Sequence, residues 1–213
     1  MVSYIRPMIP IGHSFDMDLL TTLLSMLLFV GISMLIGATL VKVIRAKGEV
    51  ANMPLTVTIT AIVSLFLFAR YGLSVTAIQG VFLMFVLLYA SISDVNYHIV
   101  DDYIWVIVFA LALLNIEKIG MTSMVVGALC VFIPQMAMAL LPPHKTLGGA
   151  DIKLSTALAF LLGGWKGICA YLLGLIIAVI FMCIYNKVKG NKEKKPFALV
   201  PFLSVGAMIV FII

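Results

Sequence analysis

Residues 80–94 read GVFLMFVLLYASISD: fourteen positions without a charge, then Asp94. No charge occurs back to Arg70, and the apolar run that follows Gly72 covers 73–93. As a helix rising about 1.5 Å per residue it is about 30 Å long, the thickness of a bilayer's hydrocarbon core. Its apolar residues do not alternate with polar ones, which excludes a barrel strand. Lipid offers the backbone no hydrogen-bond partners, so a segment like this must satisfy its own N–H and C=O groups as a helix.

The rest of the chain repeats the pattern. Further apolar runs cover 19–41, 55–69, 103–116, 121–141, 152–163, 167–186 and 197–213. Over all 213 residues, 63% are hydrophobic and 11% are charged, and the mean hydropathy is +1.21. Soluble domains carry about 25% charged residues, so too little polar surface exists here to face water. The fold class expected is all-α: a polytopic transmembrane helical bundle of about eight spans (six to eight), one membrane domain over 1–213, and no soluble domain. The runs 103–116 and 152–163 are short for a span, and loops beside them that dip into the membrane must line a protein-walled cavity open to water.

With eight spans, alternate loops separate the positive charges. One side receives Lys42, Arg45, Lys47, Lys145, Lys153, Lys187, Lys189, Lys192, Lys194 and Lys195; the other receives Arg6, Arg70, Lys118 and Lys166. Cytoplasmic loops are the ones enriched in Lys and Arg. The richer side is therefore expected in the cytoplasm, with both termini outside and segments 94–102 and 142–151 facing a cytoplasmic cavity. The net charge of +5 is spread over helix ends and forms no stripe, which argues against a nucleic-acid partner. Cys130, Cys169 and Cys183 lie in apolar runs without CxxC pairing and read as small hydrophobes. Residues 1–18, with Pro7, Pro10, Asp16 and Asp18, lack the basic start and cleavage site of a secretory signal. Trp105 and Trp165 suit interfacial anchors.

Among nine acids, Asp16, Asp18, Glu49, Glu117 and Glu193 sit at helix starts or in charged connectors. Asp94, Asp101, Asp102 and Asp151 remain. Asp94 ends one apolar run, and Asp151 opens another directly after Gly148, Gly149 and Ala150. An ionisable group at membrane depth is costly and points to function. Two carboxylates from different helices on one side of the membrane suit peptide hydrolysis without metal or cofactor: one takes a proton from water, and the other, protonated, polarises the scissile carbonyl and protonates the leaving amine. A helix N-terminus favours the ionised form and a C-terminus disfavours it, which suggests Asp151 as carboxylate and Asp94 as acid. The same pair would also serve a proton- or cation-coupled secondary transporter, but such proteins place their acids near the midplane within inverted repeats, and no repeat is evident here. Gly148 and Gly149 can adopt positive φ and admit a substrate backbone, or simply turn the chain into its helix. No zinc pattern or Ser/His/Asp set occurs.

These residues resemble a family. Residues 147–154, LGGADIKL, resemble the signature of the prepilin and preflagellin peptidases, the GxGD class of intramembrane aspartyl proteases. Residues 94–102, DVNYHIVDD, resemble that family's first catalytic segment, and 195–203, KPFALVPFL, resemble the start of its last helix. The three motifs fall in order within 73–213, the expected peptidase core. The resemblance implies Asp94 and Asp151 as the catalytic pair. It also implies pilin-like or archaellin-like precursors as substrates, cut just before a hydrophobic helix while their basic leader stays cytoplasmic. Asp101 and Asp102 would attract that leader or cap the next helix. His98 would touch Asp94 or the substrate, or lie in an interfacial loop; Lys153 would tune Asp151, line the substrate path or snorkel. Ala150 stands where the family pattern has its second glycine, and Asp101 where many members have proline, which bears on substrate class before activity. The connector 42–53 has no cysteine and no room for the cytoplasmic domain of the bifunctional bacterial enzymes, so no methyltransferase activity is expected.

Overall fold

The computed structural model describes residues 17–140, 148–189 and 197–213. Among them every ordered element is a helix: α1 (Met17–Ala46), α2 (Met53–Tyr71), α3 (Val75–Tyr97), α4 (Asp102–Leu113), α5 (Ile116–Ile119), α6 (Met121–Leu140), α7 (Gly149–Leu162), α8 (Gly164–Lys189) and α9 (Val200–Ile212). Each apolar run of the sequence became one helix, and the single-turn α5 was added where Asn115 and Gly120 interrupt the run after α4. Local chemistry sets the ends. Asn52 and Ser74 accept the backbone N–H groups of Leu55 and Ala77 to cap α2 and α3. Gly163, at φ 79°, ends α7 in a conformation that side-chain-bearing residues resist.

Five helices are long and apolar enough to cross a membrane: α1, α2, α3, α6 and α8. The chain is a multi-pass membrane protein. Helices α4, α7 and α9 are shorter, with 12, 14 and 13 residues. They cover about 20 Å each at 1.5 Å per residue. Of the three, α7 lies at the centre. Nine of the residues of α7 between Ile152 and Leu162 are buried, and they cover all sides of the helix. That is the pattern of a helix enclosed by protein. It packs against α4, α6, α8 and α9, with Phe160 stacked on Phe109 of α4 at 4.5 Å between ring centres. By contrast α1 touches chiefly α2, and its leucines at 20, 24, 27, 28 and 35 are exposed. In a bilayer those side chains meet lipid tails, which are as apolar as leucine.

The helix ends gather into two groups. At one end lie the α1–α2 connector, the α3–α4 junction, and the N-termini of α7 and α9: Lys47 Nζ reaches Tyr89, Asn96 reaches the Val50 carbonyl, and Lys153 reaches Asp102. At the other end Arg70 and Tyr71 of α2 donate to the Ile213 and Phe211 carbonyls of α9, and Gly164 N–H donates to Ser123. The sequence's candidate carboxylates all belong to the first end.

Candidate active site

Asp94 lies one turn before the end of α3 and is buried. Its carboxylate Oδ2 accepts the backbone N–H of Val200 at 3.0 Å, and the Leu199 N–H faces the same group. The first turn of α9, whose N–H groups have no intrahelical partner, thus caps a side chain from another helix. Pro201 at the start of α9 fits this use, since proline is tolerated where helix N–H groups are free anyway. One turn earlier on α3, Ser91 Oγ lies 3.1 Å from Ser204 Oγ of α9. Val200 and Ser204, four apart, therefore hold Asp94 and Ser91 along one seam.

Asp151 stands in the first turn of α7, half-buried, and the Asp94 charge bears directly on it. The two carboxylates, one from α3 and one from α7, interact electrostatically at the same end of the bundle. Tyr171 of α8 also feels the Asp151 charge. One turn into the protein, Tyr171 and Ser155 line a cavity of about 10 Å³ with Leu158, Ala159, Leu203 and Ala207, about the room one water needs.

Gly148 and Gly149 differ from the expectation of positive φ. Gly148 has φ −69° and ψ 136°, which any residue adopts, and Gly149 is already helical. What Gly148 supplies is space: a Cβ there would stand 2.9 Å from Asp151 Oδ2. Nothing lies within 4 Å of a Cβ at Gly149. Ala150, half-buried, is the second residue of α7, where a methyl group is accommodated in the helix.

The neighbouring polar residues are engaged with one another. Lys153 pairs with Asp102 at 2.6 Å, not with Asp151, and its ammonium stands 5.9 Å from the Trp105 ring centre. Trp105 Nε1 donates to the same Asp102 oxygen at 3.3 Å. Lys153 holds the exposed Asp102 carboxyl below its ordinary range, with Trp105 helping. Asp101 precedes α4 at the cap position without capping it through its side chain; it accepts from Tyr89 at 3.2 Å. Tyr89 also meets Lys47 at 3.3 Å. The His98 side chain is exposed, while its backbone, at φ 55°, ends α3 by donating to the Asp94 carbonyl. Among the described residues no three His, Cys, Asp or Glu side chains come together as a metal site. His144, Lys145, Lys195, Pro196, His13 and the greater part of segment 142–151 lie outside the described residues.

Sequence reasoning did not assign Val200, Ser204, Ser155 or Gln135. Serine and glutamine inside an apolar helix mark cross-helix hydrogen bonds, and only the contacts say with what.

Residues 81–185 match the type IV leader peptidase family. The match includes both aspartates and ends before α9. No curated protein and no solved structure gives a significant match to the chain.

Proposed function

Because the chain belongs, through residues 81–185, to the type IV leader peptidase family, we propose that it is an intramembrane aspartyl endopeptidase whose catalytic pair is Asp94 and Asp151. The observation that supports this reading is the electrostatic interaction between two carboxylates, from α3 and α7, at one end of the bundle. Like charges at short range favour sharing one proton between them. One carboxylate removes a proton from water as the water's oxygen attacks the scissile carbonyl. The other, protonated, donates to the carbonyl oxygen; as the C–N bond breaks, the first group passes the proton it took from water to the leaving amine, and the second regains its proton from a hydroxyl of the tetrahedral intermediate. The pair titrates as a unit. Helix dipoles do not distinguish Asp151 as base from Asp94 as acid, because Asp94 meets the N-terminus of α9 and both carboxylates then face helix N-termini.

The substrates we infer are pilin-like or archaellin-like precursors. The open space beside Gly149 would admit the extended backbone at the cleavage junction, and the leader's basic residues would approach from the end where Lys42, Arg45, Lys47 and Lys153 lie. That end is proposed to face the cytoplasm from the plasma membrane, with eight crossings and both termini outside. Asp101 and Asp102 are already paired with protein groups, so they would meet the leader only by exchanging those partners. The connector between α1 and α2, residues 47–52, carries no cysteine, which supports peptidase activity without a methyltransferase. The transporter reading has no support from the family.

Purified protein in liposomes, given a pilin-like precursor with a basic leader, should release that leader. Asp94→Asn and Asp151→Asn should each reduce the rate at least about 10²- to 10⁴-fold, the usual contribution of a positioned acid or base. Normal cleavage by either variant would overturn the aspartyl mechanism.

A further inference from the structure

Gln135 on α6 and Ser155 on α7 face each other in the fully buried interior: Gln135 is 1% exposed and Ser155 2%. The Gln135 Nε2 donates to Ser155 Oγ at 2.8 Å, and Ser155 Oγ stands 3.0 Å from Gln135 Oε1. Ser155 follows Asp151 by four residues, so the two side chains lie on the same face of α7, one turn apart. Ser155 also lines a small cavity together with Tyr171, whose ring feels the Asp151 charge.

We propose that the Gln135–Ser155 pair is a positioning device that sets the rotation of α7 and so aims Asp151 at Asp94. The inference rests on Asp151 being catalytic. Helix α7 is apolar and buried on all sides, and apolar packing by itself discriminates weakly between rotations of such a helix. A polar pair discriminates sharply: turning α7 away leaves the Gln135 amide buried without a partner. A comparable pin exists for the other carboxylate, since α9 holds Asp94 directly through Val200. Asp151 has no such bond from a neighbouring helix among the described residues. Its glycine-flanked first turn offers no side chains of its own to pack at 148 and 149, so the turn's aim must come from further along α7. Gln135 also follows Pro134, which removes one N–H from the α6 ladder at this level. The side-chain pair therefore crosses between helices where α6 itself is interrupted.

The test separates aim from stability. Gln135→Met removes the pair with little change of volume and leaves Ser155 its bond to the Ile152 carbonyl, at 3.2 Å. This variant should keep the wild-type melting temperature. The double variant Gln135→Met with Ser155→Ala makes both positions apolar and serves as the second folded reference. In liposomes, with a pilin-like precursor as probe, both should lose about ten-fold in kcat, the scale expected of a misplaced reacting group. KM should stay within about two-fold, since Asp151's aim acts on the chemical step rather than on uniform binding. Wild-type kcat in folded Gln135→Met or in the folded double variant, beside an inactive Asp151→Asn control, would overturn the pin while leaving the catalytic assignment intact. A fall in melting temperature that tracks the fall in kcat would overturn it too, by showing a merely structural role. Normal cleavage by Asp151→Asn would remove the premise.

Discussion

Asp94 and Asp151 are chemically alike and held in opposite ways. Asp94 sits inside α3, buried, with a backbone N–H of α9 on its carboxylate and a serine pair one turn away. Asp151 is half-buried in the first turn of α7, behind two glycines, and is steered from Ser155 and Gln135 below it. One carboxylate is fixed by contact, the other by the aim of its helix. The difference suits a hydrolase whose substrate must enter between them. The walled-in group keeps its place, and the group beside the open, side-chain-free turn leaves room for a peptide backbone.

The largest test of this asymmetry compares the two glycines. Gly148→Ala needs no change of backbone, because φ −69° suits alanine. Its methyl group would stand 2.9 Å from Asp151 Oδ2, and only the end of a side chain has to give way. The expected outcome is a loss of about 10²-fold in cleavage rate, in line with misplacement of a reacting group by about 1 Å, with the melting temperature unchanged. Gly149→Ala puts its methyl group into the open space proposed for the substrate backbone and away from Asp151, so it should raise KM while leaving kcat within about two-fold of wild type. Equal losses of kcat in the two variants would sink the account of Gly148 as a space-giver.

A smaller effect is expected on the Asp94 side. Ser204→Ala breaks the bond to Ser91, whose hydroxyl retains the Leu87 carbonyl at 2.7 Å. Cross-helix bonds in membrane proteins contribute about 0.6 kcal/mol on average. A thermal melt in detergent should fall by about 1–2 °C, with kcat nearly untouched because Val200 still holds Asp94. A ten-fold loss of kcat would mean that Asp94 depends on its neighbours as Asp151 does.

The smallest effect concerns Asp102 and Lys153. Lys153 lowers the Asp102 carboxyl below its ordinary value near 3.8. A carboxyl lowered in the folded state contributes stability that is fully present above its unfolded value and is lost as pH falls through the folded one. From pH 5 to 8 the pair should therefore leave the melting temperature flat, with any loss appearing only below about pH 4. Asp102→Asn should remove that acid limb. Both side chains are largely exposed, so added salt should weaken the pair. A loss centred near neutral pH would show that another group carries the dependence.

Among the described residues the runs of the sequence located every helix except α5, because apolar length and interruption by polar residues are local properties. Span ends shifted by several residues: α1 continues past 41 to Ala46, through Lys42 and Arg45, since a helix ends where its backbone is capped rather than where its hydropathy falls. Asp94 and Asp151 stood out because a carboxylate beside a long apolar run is rare whatever its partners. Their neighbours were less legible. Lys153 lies two residues from Asp151 in sequence yet turns to Asp102, as residues i and i+2 of a helix point to different faces.

What the sequence by itself determined was the solvent and the two acids: 63% hydrophobic residues require lipid, and lipid requires helices whose few charges stand out. The tertiary structure alone decided what holds each acid. Val200 offers Asp94 a backbone N–H that every residue but proline possesses, so nothing in its side chain announces the role. Gly148 acts through missing volume, and Gln135 acts through a serine twenty positions away. Those three influences depend on which helix faces which, and that is settled only when the bundle packs.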